Sequence, residues 1–350
     1  MVLSNSKLSH IQSPLTMSEW IYAYYVSRCV YVVAKLGIAD LLKDGSQHCN
    51  TLAAATNTHS DSLYRVLRAL AGIGIFAETQ PRCFELTSLA DSLQSNVPDS
   101  LRHEAILRGE EWYYKSWENL MYSVETGKGA FEHLYGTDLF HYYEQNAVAR
   151  KSFYTDTFVS KEESARVSAL YLEAYDFSSI DKLIDVGGGN GYFLAAILEA
   201  HPAMTGILFD LPKVIDEAKN SHEVISLNDR FQLVGGSFFE AVPEGGDAYL
   251  LREVVHLFDD ERAIAALKRC HQAMKEQGRL LVIERVMSPE YETFTSKFSD
   301  VHLLVMCFPG RVRNKAEFQD LFESAGFKLT KIIPTKTDMC IIEGVKTVNS

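Results

Sequence analysis

Residues 184–193 read IDVGGGNGYF, and four of the five positions from 187 to 191 are glycine. A short apolar run precedes the glycines and an apolar helical pattern follows them, which predicts a buried strand, a tight loop and a helix. A loop with so few side chains can hold a phosphate, a dinucleotide, a sulfonium cofactor or no ligand at all.

The spacing of the glycines argues against two of these ligands. A phosphate-binding P-loop has the pattern GxxxxGK[ST], and no Lys-Ser or Lys-Thr follows here. A dinucleotide fingerprint GxGxxG starting at Gly187 needs glycine or alanine at position 192, which is Tyr192. The observed pattern is Asp185 followed by Gly187, Gly189 and Gly191. It suits a positively charged cofactor whose amino-acid tail and ribose approach the backbone without a pyrophosphate.

A second candidate cofactor residue is Asp210, which ends the apolar run ILFD, 21 residues after Gly189. A carboxylate at the end of the next strand can accept hydrogen bonds from both ribose hydroxyls, as in dinucleotide-binding folds. NAD sites share this feature, so Asp210 alone does not select the cofactor. The alternative is that Asp210 caps the helix that follows it.

The order of predicted elements indicates two architectures in one chain. From about residue 176, strands and helices alternate, which predicts an α/β fold with a doubly wound, mostly parallel sheet. Ligands of such sheets bind at the carboxyl ends of the strands. Residues 49–95 read instead as two helices and a hairpin, a winged-helix-like pattern. Residues 101–175 are helical and rich in aromatic side chains.

Charge and composition exclude several functions. Net charge is −12, and residues 1–100 hold seven Lys or Arg against eight Asp or Glu, whereas a nucleic-acid-binding face is normally basic. The six cysteines form no CxxC pair, which indicates reduced thiols in a cytoplasmic protein. We expect no membrane span, because no apolar run is long enough, and no metal, because no constellation of carboxylates points to one.

Residues 17–45 are apolar on nearly every side of a predicted helix, so they should be buried all round. Burial against another subunit and burial in the core of the same chain are both open interpretations.

Several motifs, in order, resemble the class I S-adenosylmethionine-dependent small-molecule O-methyltransferases, which include plant caffeate-type and bacterial natural-product enzymes. They are LIDVGGGNG, FDLP, LLREVVH, LLVIE and EFQDLFESAGF. The resemblance covers roughly residues 17 to 345. It implies S-adenosylmethionine as cofactor, methyl transfer to a hydroxyl of a small aromatic substrate, and a homodimer with interlocked N-terminal segments.

The resemblance also implies a division of the chain into three parts. Residues 1–105 would be a winged-helix-like dimerisation domain, residues 106–175 a helical linker that lines the substrate pocket, and residues 176–350 the S-adenosylmethionine-binding methyltransferase domain. By position, the family's cofactor residues are Gly187 in the loop, Asp210 at the ribose, Ser237 and Phe238 near the adenine, and Arg252 on the fourth strand. Many plant members have aspartate where this chain has Ser237.

His256 closes the apolar run AYLLREVVH, so we expect it at the end of a strand. A lone histidine there is often structural, but the resemblance implies the general base that takes a proton from the acceptor hydroxyl. Glu284 ends the next strand, RLLVIE, where it would orient the imidazole and stabilise its charged form. The alternative for Glu284 is a surface salt bridge with Arg285.

The acceptor pocket is also implied by position. Seven residues should face the substrate and form an apolar slot for a planar ring: Phe153, Thr157, Phe158, His302, Leu303, Met306 and Cys307. Met306 has an alternative interpretation as a core residue.

Two departures from the family pattern affect the chemistry. The usual His-Asp-Trp is His256-Leu257-Phe258 here, and Val312 occupies the position of a second glutamate. Either His256 works with Glu284 alone, or the chemistry differs. These departures leave a cofactor-binding relative with decarboxylase- or hydroxylase-like chemistry as one alternative. The winged-helix-like pattern of residues 49–95 leaves a ligand-sensing regulator as another.

Overall fold

The computed structural model describes residues 16–98, 100–154, 161–219, 226–289 and 293–347. The chain divides into two compact units, one of Met1–Lys115 with Val148–Phe158 and the other of Ser116–Ala147 with Val159–Ser350. The three-part division at residues 105 and 175 stays a prediction.

Helices account for most of the first half of the chain and cover the sheet in the second. Their bounds are Met17–Leu36, Ile38–Leu41, Cys49–Thr56, Ser60–Ala71, Arg102–Gly109, Glu111–Glu118, Leu120–Thr126, Ala130–Tyr135, Leu139–Gln145, Ala147–Tyr154, Lys161–Ala174, Tyr192–Ala200, Pro212–Ala218, Asp260–Ala273, Phe294–Met306 and Lys315–Ser324. The strands are β1 Gln47–His48, β2 Phe76–Gln80, β3 Cys83–Leu86, β4 Lys182–Val186, β5 Thr205–Asp210, β6 Phe231–Gly235, β7 Ala248–Arg252, β8 Arg279–Glu284, β9 Val286–Met287, β10 Arg313–Asn314, β11 Phe327–Pro334 and β12 Cys340–Lys346.

The first unit contains the expected helix–helix–hairpin arrangement. Strands β2 and β3 form an antiparallel hairpin, and β1 pairs with the outer side of β3. Leu52, Leu63, Leu67 and Phe84 belong to one buried apolar cluster, which joins the two helices to the hairpin. Burial of these side chains provides the main driving force for this part of the fold.

The first helix, Met17–Leu36, is buried only toward its end. Val33 and Ala34 are buried, whereas Trp20 is 50% exposed and Ile21 and Tyr22 are more exposed still. The interpretation that the whole segment lies in the core of its own chain is therefore wrong, because its first three turns carry large apolar side chains that this chain leaves in solvent.

The second unit is built on a seven-stranded sheet in the order β11-β12-β8-β7-β4-β5-β6. Only β12 runs antiparallel to its neighbours, and the remaining neighbouring pairs are parallel. Helices Asp260–Ala273 and Tyr192–Ala200 belong to apolar clusters that cover opposite faces of the sheet. The predicted doubly wound sheet is therefore confirmed.

Chain order places the candidate site. Strand β4 lies between β5 and β7, so the strand order reverses at β4. Helices leave from opposite faces at such a point, and a crevice opens at the carboxyl ends of the strands. Strands β4, β5, β7 and β8 all end at this edge, with Asp210, Arg252 and Glu284 as the last residues of the latter three.

In the parts of the chain that the structure describes, no helix has both the length and the apolar character needed to cross a membrane.

Candidate functional site

The glycine loop begins directly after β4 and has a backbone that most residues cannot adopt. Gly187, Gly189 and Gly191 have φ values of 73°, 62° and 78°, in the left-handed region that favours glycine. Gly188 is required for space, because a Cβ there would overlap the carboxylate of Asp185 and a methyl group of Leu208. A Cβ at Gly189 would meet no atom of the described residues within 4 Å, so this position borders open space.

Asp185 lies beneath this loop and is 1% exposed. Its Oδ1 has no hydrogen-bond partner among the described residues. Burial raises the pKa of Asp185 to about 7; the charge of Asp210 adds to this effect and that of Arg252 opposes it. Asp185 was visible in the sequence through its position before the glycines, but it was not among the cofactor residues that the resemblance implied.

Asp210 holds the loop in place. Its Oδ2 accepts a hydrogen bond from the N–H of Gly189 at 2.8 Å, and its Oδ1 accepts one from Leu211 at 2.7 Å. Burial raises the pKa of Asp210, and these two hydrogen bonds act in the opposite direction. The next helix, Pro212–Ala218, begins after Leu211 as N-cap, so the interpretation of Asp210 as its capping residue is wrong.

Ser237, Phe238 and Arg252 lie in three different settings. The Oγ of Ser237 accepts a hydrogen bond from the N–H of Phe239 at 3.3 Å. The ring of Phe238 comes within 3.9 Å of the point where a Cβ on Gly187 would stand. The guanidinium carbon of Arg252 lies 4.9 Å from the centre of the Phe193 ring. Phe238 therefore lies beside the glycine loop, and Arg252 lies next to Phe193, two residues after the loop.

The local structure around His256 differs from our expectation. Strand β7 ends at Arg252, and His256 lies in a 3₁₀ turn, Val255–Leu257, rather than at the end of the strand. The two valines before His256 extend the apolar pattern, but Glu253 has φ of 56° and turns the chain away. His256 is nevertheless at the carboxyl edge of the sheet.

Glu284 contacts His256 twice. One carboxylate oxygen, Oε2, contacts Nδ1 of the ring, and the other, Oε1, accepts a hydrogen bond from the backbone N–H of His256 at 3.2 Å. Glu284 is 1% exposed. Arg285 pairs instead with Glu253 at 3.1 Å and with Asp338 at 2.8 Å. The alternative in which Glu284 forms a surface salt bridge with Arg285 is therefore wrong.

The charge of Glu284 determines the protonation of the imidazole. Burial acts to lower the pKa of His256, but the charge and hydrogen bond of Glu284, with a contribution from Glu253, raise this pKa above its ordinary value. Because Glu284 holds Nδ1, the other nitrogen, Nε2, is the atom available for proton transfer. The pair can therefore take up a proton and stabilise the resulting imidazolium.

Residues 310–313 pack against the turn that carries His256. The N–H of Arg311 donates to the carbonyl of His256 at 2.8 Å, and a Cβ on Gly310 would overlap the same carbonyl. The buried guanidinium of Arg313 donates to the carbonyls of Val255 and Phe258 at 3.0 and 2.7 Å. Val312 is buried, and its N–H donates to Oδ1 of Asp300 at 2.8 Å.

The expected pocket residues fall into two groups. Leu303 and Met306 are buried on the helix Phe294–Met306, and the His302 ring stacks on Trp117 with 6.1 Å between ring centres. Burial raises the pKa of Cys307 to about 12. The structure describes less of the other three residues. Phe153 lies in the helix Ala147–Tyr154 with its side chain undescribed, and Thr157 and Phe158 lie outside the described residues.

Within the described ranges, no group of three or more His, Cys, Asp or Glu side chains could hold a metal ion.

A doubly wound sheet with a glycine loop at its switch point is typical of proteins that bind a nucleotide-containing cofactor, and comparisons with known proteins identify the family. Residues 117–328 match the O-methyltransferase domain and residues 18–96 the O-methyltransferase dimerisation domain. A phenazine O-methyltransferase of Lysobacter antibioticus is 38% identical over 339 residues, which cover 97% of this chain and 98% of that protein. This chain belongs to the O-methyltransferase family, so the predicted enzyme class is confirmed.

Solved structures agree with this assignment. Mitomycin 7-O-methyltransferase has a TM-score of 0.88 and 32% identity, covering 95% of this chain and 97% of that one. An O-methyltransferase from neocarzinostatin biosynthesis, solved with S-adenosylmethionine and 2-hydroxy-5-methyl naphthoic acid, has a TM-score of 0.77 and 29% identity, covering 92% and 96%. The predicted class I methyltransferase fold with an N-terminal dimerisation domain is therefore confirmed.

Proposed function

We propose that this enzyme transfers a methyl group from S-adenosylmethionine to a hydroxyl, phenolic in character, on a small aromatic molecule, with His256 as the general base. The observation that carries the proposal is the His256–Glu284 pair, which lies at the same edge of the sheet as the glycine loop. Membership of the O-methyltransferase family supports the reaction class.

The residues around the loop fit S-adenosylmethionine. Asp185 offers a buried carboxylate oxygen without a partner in the described structure, which suits a cationic ligand. Gly189 borders open space, and Gly187 lies beside the Phe238 ring, which can contact a flat base. Asp210 would bind the ribose and Ser237 the adenine. Arg252, the last residue of β7, would lie at the edge of the sheet that faces the cofactor. When bound, the cofactor supplies an electrophilic methyl group whose bond to sulfur breaks with the electron pair remaining on sulfur.

His256 has the proton-transfer task. A phenol has a pKa of about 10 and an ordinary histidine about 6.5, so the hydroxyl needs help to lose its proton. Nε2 of His256 would take that proton as negative charge develops on the oxygen, and Glu284 would stabilise the imidazolium that results. The raised pKa of His256 strengthens it as a base, but protonates more of it at neutral pH.

The acceptor class rests on the pocket and on the relatives. The relatives named above are a phenazine O-methyltransferase, a mitomycin O-methyltransferase and an enzyme solved with a naphthoic acid. Leu303 and Met306 provide buried apolar surface, and His302 and Cys307 lie on either side of them in sequence. Phe153, Thr157 and Phe158 stay predicted members of this pocket.

The test of this proposal compares two histidine variants. His256→Ala should lower kcat by about 10²–10⁴-fold with labelled S-adenosylmethionine and a panel of phenols, because the general base is lost. His103→Ala, at an exposed position in the first unit, serves as the matched control. Full activity in His256→Ala would end the proposed role. Cofactor binding without a methylated product would favour decarboxylase- or hydroxylase-like chemistry, and salt-dependent DNA binding would favour a regulator.

We also propose that the enzyme works in the cytoplasm as a homodimer, without nucleic-acid or membrane partners. The match to the dimerisation domain and the exposed apolar side chains of the helix Met17–Leu36 support a second copy as the partner. Light scattering on the purified enzyme should give twice the mass of one chain, and the mass of a single chain would contradict the dimer.

A further inference from the structure

We propose that Glu253, held by Arg285, is a positioning residue that sets the charge of His256 and supplies the second carboxylate that the family pattern would place at position 312. The proposal rests on the proposed role of His256 as base. Val312 is apolar and buried, so it offers no such charge.

The backbone at Glu253 has an unusual, left-handed conformation. Its φ of 56° lies in the left-handed region, which a residue with a long side chain rarely adopts. Its N–H donates to the carbonyl of Ile283 at 3.0 Å, directly before Glu284. Three residues later the same turn carries His256. Strained backbone of this kind persists only where surrounding contacts hold it, and it is concentrated at functional sites.

Two neighbouring segments are joined by crossed pairs. Glu284 contacts His256, while the next residue, Arg285, pairs with Glu253 through Nη1 at 3.1 Å. The Nε of Arg285 pairs with Asp338 at 2.8 Å, and the hydroxyl of Thr295 donates to that same carboxylate at 3.0 Å. Arg285 is thus anchored on one side by Asp338 and on the other by Glu253.

Glu253 and Arg285 act on the imidazole with opposite sign. The charge of Glu253 raises the pKa of His256, and that of Arg285 lowers it. In return, although burial acts to raise the pKa of Glu253, the charges of Arg285, His256 and Arg252 hold it below its usual value. Glu253, Arg285 and His256 are therefore electrostatically coupled, and at the imidazole the negative charge of Glu253 opposes the positive charge of Arg285.

The other charged groups near this turn have contacts of their own, and Arg252 lies over the ring of Phe193. Arg311 and Arg313 come from the segment packed against the turn, and both bind Asp260 at about 3 Å. Asp300 accepts the N–H of Val312. Glu284 is common to every variant considered below. Glu253 and Arg285 are therefore the pair whose removal should change the titration of His256 in opposite directions.

The experiment measures the imidazole itself. His256 is titrated by NMR in the full-length enzyme without cofactor, and its signal is assigned by its loss in His256→Asn. Glu253→Gln should move the midpoint to lower pH than in wild type, because the negative charge of Glu253 is lost while the positive charge of Arg285 remains. Arg285→Gln should move it to higher pH. Glu253→Asp keeps the charge and should restore most of the wild-type midpoint.

The matched control is Asp338→Asn, which also deprives Arg285 of a carboxylate, but one that binds Nε rather than Nη1. It should leave the His256 midpoint close to wild type. An unchanged midpoint in Glu253→Gln, or an equal shift in Asp338→Asn, would overturn the proposal. If Arg285→Gln fails to fold, the Glu253→Gln and Glu253→Asp pair decides.

Failure of this inference can be told apart from failure of the proposed function. The titration needs no turnover, so it tests Glu253 directly, whereas His256→Ala tests the base. If the proposed function and this inference are both correct, the acidic limb of the pH profile of kcat/KM should move in Glu253→Gln in the same direction as the NMR midpoint. A moved midpoint with an unmoved limb would overturn the link to catalysis.

Discussion

The two halves of the candidate site present different kinds of group, backbone in one half and side chains in the other. At β4 and β5, the glycine loop presents backbone, and the carboxylate of Asp210 holds it through the N–H group of Gly189. After β7 and at the end of β8, the His256–Glu284 pair presents side chains, one from a 3₁₀ turn and one from a strand. The first half is shaped by φ angles and steric room, and the second by charge. The two halves should therefore respond differently to pH.

The largest expected effect is on the side-chain half. Glu284→Gln removes the charge that orients and stabilises the imidazole, so we expect kcat to fall by about 10²–10⁴-fold, close to the loss of the base itself. The His256 pKa should also fall. Steady-state kinetics and NMR titration measure both, with the exposed Glu199→Gln as control.

The same variant has a signature in stability. A histidine with a raised folded pKa adds stability that is fully present below its unfolded pKa and is lost as pH rises through the folded value. Wild type should therefore lose this contribution across that interval, and Glu284→Gln should not. Free energies of unfolding are measured in urea at a series of pH values. If they depend on pH in the same way in both proteins, the charged His256–Glu284 pair is contradicted.

An intermediate effect, on the stability of the fold, is expected at Asp185 beneath the loop. The folded pKa of Asp185, about 7, lies above its ordinary value of 3.8, so the folded protein loses stability as pH rises between the two. Asp185→Asn cannot ionise. As pH rises from about 4 to 8, the free energy of unfolding of the variant should increase relative to that of wild type by roughly 3–4 kcal/mol. Exposed Asp320→Asn is the control, and a gap that does not vary with pH would show that Asp185 is ionised throughout.

The smallest effect is expected in the backbone of the loop. Gly189→Ala meets no described atom within 4 Å, so only its φ of 62° opposes it, and a cost of about 1–2 kcal/mol follows. Gly191→Ala should cost more, because its Cβ would also lie 2.9 Å from the Phe231 ring. Both costs should be independent of pH in urea unfolding, and a pH-dependent cost would mean that the loop and Asp185 are coupled.

This contrast also explains what could be predicted from the sequence. The glycine loop and Asp210 were visible because left-handed backbone demands glycine and because a strand end has a recognisable position. Glu284 could be paired with His256 because adjacent parallel strands end at one edge. These inferences needed only local patterns and chain order.

Three features needed the folded chain. The end of β7 was misplaced because Val254 and Val255 continue a strand-like pattern, while the turn at Glu253 depends on a φ that its residue type does not reveal. The pairing of Arg285 with Glu253 crosses two segments, and sequence order suggested Glu284 instead. The exposed face of the first helix was ambiguous because apolar side chains look alike whether their own chain or another covers them.

Arg313 gives the site one more property. Its guanidinium binds the carbonyls on both sides of the His256 turn, and Arg311 binds the carbonyl between them. These arginines follow Cys307 by only a few residues, in the stretch expected to line the acceptor slot. Remodelling that stretch to admit a bulkier ring would shift the imidazole as well. New acceptor preferences in this enzyme should therefore evolve more readily through the aromatic helices between residues 111 and 147 than through residues 307–313.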